Sequence, residues 1–353
     1  MAFITPPSQS KKQIDKAGKV LITQNFQNPE FVTALKLAER WRASHAYPIN
    51  TFQATLRTKL RSYHPESIAA QRLKRMPTII DKLKRYPAMK LTTMQDIGGV
   101  RAILRSVIDA DRLANDYRNN RRMAHELVDQ KNYIQYPRSE DGYRGIHLIY
   151  KYKNKTAPQY ENLRIELQIR TKLQHVWATA VESMGTFLGQ ALKSRKGDQE
   201  WLDFFALVSS AFALREQCSP IPRFAHLSGD SIIFEISNAE ARLGALEMMR
   251  GLSIAANAIS NSRNPLAGWS YHLIILNSVK KTVQIKSYSR DEFEKAIEDY
   301  GKIETEAAKG AQVEPVLVSA GPIDKLRKAY PNFFLDVGTF TRIIDSMCKK
   351  ARN

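Results

Sequence analysis

The chain has only two cysteines in 353 residues, Cys218 and Cys348. They form neither a metal-ligand cluster nor a disulfide framework, which sets aside a thiolate zinc site and a stapled secreted scaffold. Long apolar runs are lacking too. Those present are short and interrupted, so none can span a bilayer, and the opening MAFITPPSQSKK has no apolar stretch leading to a cleavage site. A cytoplasmic protein with no membrane partner is the expectation. No glycine-rich loop ends in Gly-Lys-Ser or Gly-Lys-Thr, so a Walker-type phosphate cradle is excluded. Histidines number seven, and His147 and His175 have no second histidine or cysteine at ligand spacing. Zinc and a hydrolytic metal centre therefore have no support.

Acidic residues are scarce, 35 against 54 lysines and arginines, for a net charge of +19. The imbalance is local: residues 1–200 hold 35 of the basic residues and 18 of the acidic ones, while the remainder is nearly balanced. Solubility alone does not call for such concentration, whereas a face that binds phosphates does. No helix-turn-helix, zinc finger or aromatic RNA-binding sheet signature makes that partner a nucleic acid as such. With 43% hydrophobic and 25% charged residues the chain is otherwise an ordinary globular one.

The first 90 residues read mostly as helices. Asn28 and Pro29 open one at a plausible cap and first turn, TFQATLRTKLRSYH is a second, and Pro77 and Pro87 bracket a third with Ile79, Ile80 and Leu83 at helical spacing. Residues 97–104 form a strand-like run broken by Gly98 and Gly99, and residues 109–128 read as a polar-faced helix. GIHLIYKYKN and LRIELQIRT alternate as strands of an antiparallel or mixed sheet. The helix from Lys172 places Trp177, Val181, Met184 and Leu188 on one apolar face. RKGDQE breaks the pattern near residue 197, another apolar helix follows, and the switch to a further α/β or α+β unit is placed at residues 218–224. Beyond it lie strands YHLIILN, KTVQIKSYS and VEPVLVSA, a long helix between the last two, a helix ending at YPNF and a final helix. The expected division is an N-terminal helical region over 1–55, a central domain over 56–217 and a smaller accessory domain over 218–353, α+β overall.

Two isolated carboxylates stand out. Asp96 lies in the run LTTMQDIGGVRAIL ahead of the glycine pair, where a carboxylate can simply cap a turn. Glu166 alternates with Ile165, Leu167 and Ile169, which puts it on one strand face with Gln168 and Arg170. Magnesium takes oxygen ligands and bridges one or two protein carboxylates to substrate phosphates, so such a pair ringed by Arg72, Lys74, Lys82 and Arg101 suits phosphoryl-type transfer. The alternative is a turn aspartate and an exposed strand glutamate. Tyr143, an exposed-type tyrosine after Gly142, can serve as a base platform with Arg144 or Arg138 on a phosphate, or as a cross-strand packing residue.

In order, RLKRMPTIIDKLKRYP, QDIGGVR, NYIQYP, GYRGIH and IELQIRTKLQHVWATAVE resemble the synthetase domain of the RelA/SpoT family, over roughly residues 55–190. The resemblance implies a nucleotidyltransferase-like mixed sheet with flanking helices, and transfer of the β,γ-pyrophosphate of ATP to the 3′-hydroxyl of GDP or GTP, giving ppGpp and pppGpp. It implies that Asp96 and Glu166 hold magnesium, with Glu166 also orienting or activating the acceptor hydroxyl. Arg72, Lys74 and Lys82 would grip the ATP phosphates, and Arg101 or Arg105 would contact ATP. Tyr143 would stack on the acceptor base, and His147, Gln168, Arg170 and His175 would line the acceptor or shape the metal site. The chain departs from the family pattern at Gly145, Ser183 and the Thr186–Leu188 stretch, all on the acceptor side. A tRNA 3′ CCA end, the acceptor of a toxic branch of the family, and another adenosine acceptor therefore stand beside the guanosine nucleotide. A non-catalytic RNA-binding protein on the same scaffold is the other class. The C-terminal third has no second catalytic motif, and restraint of the synthetase, sensing of a protein regulator and scaffolding are its candidate roles.

Overall fold

A computed structural model describes residues 3–23, 28–74, 76–120, 123–187, 199–251, 269–277, 282–308, 313–319 and 333–352. The chain divides into two compact units: Met1–Tyr136 with Arg144–Lys172, and Pro137–Tyr143 with Leu173–Asn353.

The first unit opens with three helices, α1 (Lys11–Leu21), α2 (Pro29–Ser44) and α3 (Ala46–Leu60). Ser10 and Gln13 close a capping box at the start of α1, and the Asn28 side chain accepts from the Glu30 amide at the start of α2, so both chain entries satisfy otherwise orphaned donors. A five-stranded sheet follows, built from β1 (Ile68–Leu73), β2 (Gly98–Leu104), β3 (Glu126–Asn132), β4 (Ile146–Lys151) and β5 (Arg164–Thr171) in the order β1-β2-β5-β4-β3. Only β2 and β5 run parallel. Helices α4 (Met76–Arg85) and α5 (Val107–Arg118) follow β1 and β2.

Register gives the sheet two unlike faces. Val100, Leu167 and Leu148 are successive cross-strand partners, as are Ala102, Ile169 and Ile146, and all six are buried. On this apolar side the Tyr150 hydroxyl donates to the Tyr117 carbonyl of α5 at 3.0 Å. On the other face Arg101, Gln168, His147 and Lys131 are successive partners across β2, β5, β4 and β3, a polar row running over four strands.

Three expectations are corrected. Gly98 and Gly99 do not break a strand but lie inside β2. A Cβ at Gly98 would sit 3.0 Å from the Cβ of His45 and 3.0 Å from Cδ1 of Ile49, so glycine relieves a tight approach of His45 and α3 there. The helix read over 109–128 ends at Arg118, and β3 begins at Glu126. Its polar sequence ELVDQKN fits an edge strand, which has little apolar surface to cover. β1, with the sequence IAAQRL, was not foreseen.

The second unit contains α6 (Lys172–Phe187), α7 (Gln199–Arg215), α8 (Gly229–Leu243), a helical stretch from 245 to 251, and an antiparallel sheet in which β6 (Trp269–Asn277) lies between β7 (Thr282–Ser289) and β8 (Val313–Ser319). α9 (Phe293–Ala308) and α10 (Phe333–Arg352) complete it. Trp177, Val181 and Met184 are buried as their spacing predicts, and the Trp177 indole donates to the Phe205 carbonyl at 2.7 Å. Leu188, most of RKGDQE and the helix ending at YPNF lie outside the described residues. Leu273, Ile275, Tyr288 and Ala296 form a core under the small sheet. No described helix is long and apolar enough to cross a membrane.

Candidate active site

The polar face of the five-stranded sheet carries a pocket lined by Arg72, Lys74, Asp96, Gly99, Val100, Arg101, Glu166 and Gln168. Arg72 pairs with Gly99 across β1 and β2, and Gly99 with Glu166 across β2 and β5, so the strand register itself delivers these groups to one place. A Cβ on Gly99 would stand 3.1 Å from the Glu166 carbonyl oxygen and 4.0 Å from its Oε2, which makes Gly99 part of the wall. The Lys74 amide donates to the Ile97 carbonyl at 2.8 Å and fixes the end of β1 beside the turn that carries Asp96.

Each carboxylate has both oxygens engaged. Lys74 Nζ donates to Oδ2 of Asp96 and Lys82 Nζ, from α4, to Oδ1, both at 2.9 Å. His147 Nδ1 donates to Oε1 of Glu166 at 2.8 Å, and the Gln168 amide donates to Oε2 at 2.6 Å. Arg101 binds the carbonyl end of Gln168 through Nε and Nη2 at 3.3 and 3.2 Å. That contact orients the amide so that its NH2 meets Glu166.

Burial opposes ionisation of Asp96, but Lys74 and Lys82 outweigh it and hold its carboxyl well below the usual carboxylate range. Burial, and the Asp96 charge, push Glu166 upward; His147 and the bond from Gln168 win, and the net shift is downward. Burial is also the main cause that lowers Lys74, reinforced by Arg72 and Lys82 and opposed by Asp96. Two ionised carboxylates on one pocket beside cations are the oxygen donor set that magnesium shares with phosphates. Among the described residues no group of three or more histidine, cysteine or acidic side chains could hold a metal.

Of the residues singled out in the sequence, the pocket gathers Asp96, Glu166, Arg72, Lys74, Arg101 and Gln168, with Lys82 and His147 bonded to its carboxylates. Arg105 is exposed just past β2 and is not in the lining. Arg144 is buried and donates to the Ile134 carbonyl at 3.0 Å, and Arg170 is buried on β5. His175 is buried on α6 of the second unit. The exposed character expected of Tyr143 is corrected: it is 3% exposed, with the Arg138 guanidinium 4.4 Å from its ring centre and Trp177 edge-on at 6.4 Å. Gly99 was read only as a strand breaker, and Lys131 was not singled out. Their signal is the register, which places each opposite a site residue and is not legible in one strand's sequence.

Residues 71–186 match the family model described as a region found in RelA / SpoT proteins. The chain is 32% identical over 124 residues to the GTP pyrophosphokinase YjbM of Bacillus subtilis (strain 168), covering 35% of this chain and 57% of that protein. It is 29% identical over 126 residues to the GTP pyrophosphokinase YwaC of the same organism, covering 34% and 58%. Each match thus spans a little over half of the relative's own length. Among solved structures, small alarmone synthetase 1 from Bacillus subtilis bound to its product pppGpp aligns with a TM-score of 0.45 at 24% identity, covering 52% of this chain and 94% of that one.

Proposed function

We propose that this chain, whose residues 71–186 match the model of a region found in RelA / SpoT proteins, transfers the β,γ-pyrophosphate of ATP to the 3′-hydroxyl of a guanosine nucleotide, GDP or GTP. The carrying observation is the pair of ionised carboxylates on one pocket, flanked by Lys74, Lys82, Arg72 and Arg101. Lys74 and Lys82 exchange the Asp96 carboxylate for the phosphates of ATP, and the same move releases Asp96. Asp96 and Glu166 would hold magnesium, which neutralises phosphate charge when bound. Arg72 and Arg101 extend the cationic wall that stabilises charge on the transferring group.

Glu166 lies between this cationic end and His147, where an acceptor hydroxyl can be oriented toward the β-phosphorus. The acceptor oxygen forms a bond to that phosphorus, the bond to the α,β-bridging oxygen breaks, and AMP leaves. A carboxylate held in its ionised form is a weak base, so Glu166 serves mainly to align the hydroxyl and accept its proton late. His147 and Gln168 fix its direction.

The test is incubation of the pure protein with ATP labelled on its γ-phosphate, magnesium, and GDP, GTP or deacylated tRNA. Label on a guanosine nucleotide is the expected result. Label on tRNA would keep the reaction and change the acceptor, a reading that the basic charge of residues 1–200 favours. Label on none of them overturns both.

A further inference from the structure

We infer that Asp15, Asp129 and Arg164 are positioning residues that strap the turn carrying Asp96 across the polar face of the five-stranded sheet. This rests on the pyrophosphate-transfer reading and concerns how the donor end of that site keeps its shape. None of the three belongs to the pocket lining, so each acts through the turn. Asp15, on α1, accepts through Oδ1 from both the amide and the hydroxyl of Thr92, at 2.9 and 2.8 Å. Arg164, on β5, donates from Nη1 to the Thr93 carbonyl at 2.6 Å. Asp129, on β3, accepts through Oδ2 from the Gln95 side-chain amide at 3.0 Å. A helix and two strands thus grip residues 92, 93 and 95, and Met94 between them is buried.

Strand geometry delivers two of these grips. Arg164 stands two residues before Glu166 on β5 and so shares its face. Gly99, Glu166, Ile149 and Asp129 are successive partners across β2, β5, β4 and β3. The pairing register shifts between Leu127 and Asp129, and irregularities of this kind re-aim a side chain. Oδ1 of Asp129 accepts from the Gln130 amide at 2.8 Å, which fixes the carboxylate that Gln95 meets. The need for a strap follows from the chemistry at Asp96. In the free protein Lys74 and Lys82 hold its two oxygens. When those ammonium groups pass to the phosphates of ATP, the backbone of the turn must keep the carboxylate in place. Hydrogen bonds that orient a ligand from outside the metal site are what such an arrangement depends on.

The experiment uses the full chain and reads binding as well as activity. A non-hydrolysable ATP analogue, with a methylene group between its α- and β-phosphorus, is titrated calorimetrically with and without magnesium. Asp15→Ala and Gln95→Ala should each lower the magnesium-dependent gain in analogue affinity about ten-fold, since each frees the turn that holds a charged ligand. Affinity without magnesium should stay within about two-fold of wild type, because Arg72, Arg101 and the two lysines are untouched. Asp15→Asn, whose amide oxygen can still accept both bonds from Thr92, should retain the gain. Gln95→Glu should lose it by setting two carboxylates together, and adding Asp129→Asn should restore it by reversing the direction of the bond. In label transfer, the magnesium concentration for half-maximal rate should rise in the same pattern. An unchanged gain in both Asp15→Ala and Gln95→Ala, or an affinity loss equal with and without magnesium, overturns the strap and leaves the reaction standing. A wild type whose analogue affinity ignores magnesium and that labels no acceptor overturns the reaction and this inference with it.

Discussion

Asp96 sits on the turn ahead of β2 and is held by two ammonium groups, whereas Glu166 lies within β5 and is held by an imidazole and an amide. The first arrangement neutralises charge with charge, and its partners are long side chains able to leave. The second fixes direction, because the Gln168 amide is itself oriented by Arg101 and the His147 ring meets Tyr133 edge-on at 5.4 Å. The lysine end thus holds its carboxylate by charge and the histidine end holds its carboxylate by directed hydrogen bonds; under the proposed function the first would trade partners with a polyanion and the second would keep one carboxylate pointing one way.

Matched amide substitutions separate the two ends. Under the proposed function, Glu166→Gln should lower turnover by about 10³-fold or more, measured as label transfer, because it would remove the charge beside the acceptor hydroxyl. Its unfolding free energy should change by less than about 1 kcal/mol, since the amide oxygen can still accept from Gln168 and the amide NH2 can donate to Nδ1 of His147 in its other tautomer. Asp96→Asn should behave differently on urea denaturation, losing about 2 to 3 kcal/mol, because it leaves Lys74, 7% exposed, facing an uncharged group. Equal stability losses in the two variants would break the comparison.

Acid separates the site from the core behind it. His45 is buried, its Nδ1 lies 2.9 Å from the Trp41 carbonyl, and burial lowers its pKa from 6.5 to about 4. Between these values the unfolded chain binds a proton that the folded chain refuses, so stability falls as pH drops from 6.5 to 4, by about 3 kcal/mol in all. Denaturation as a function of pH should show this slope, and His45→Phe should remove it. Asp96 and Glu166 have depressed values, so what they contribute is present above about pH 4 and is lost only as pH falls further, through their folded values. A smaller effect is expected at the strand crossing: Gly98→Ala should cost about 1 to 3 kcal/mol through contact with His45 and Ile49.

Much of this was legible in the sequence because it rests on local pattern. The alternation around Glu166 put Gln168 on its face, and the two do hydrogen-bond. The apolar spacing of Trp177, Val181 and Met184 gave a buried helix face. What could not be read depends on pairing between distant strands. β3 carries too few apolar residues to announce itself, so Lys131 had no visible neighbour until the register placed it opposite His147. Gly98 and Gly99 look like breakers in one dimension and prove to be contact points in three, where α3 and the Glu166 backbone come close. Lys74 and Lys82 were read as a cationic set near Asp96, but their bonds to it depend on how β1, α4 and the turn meet.

The most direct measurement of the central claim is the nucleotide balance of the reaction. With γ-labelled ATP, magnesium and the accepted nucleotide, the account predicts one AMP released for each labelled acceptor formed, and loss of both products together in Glu166→Gln. Release of ADP in place of AMP, or equal AMP release by the wild type and Glu166→Gln, would contradict it.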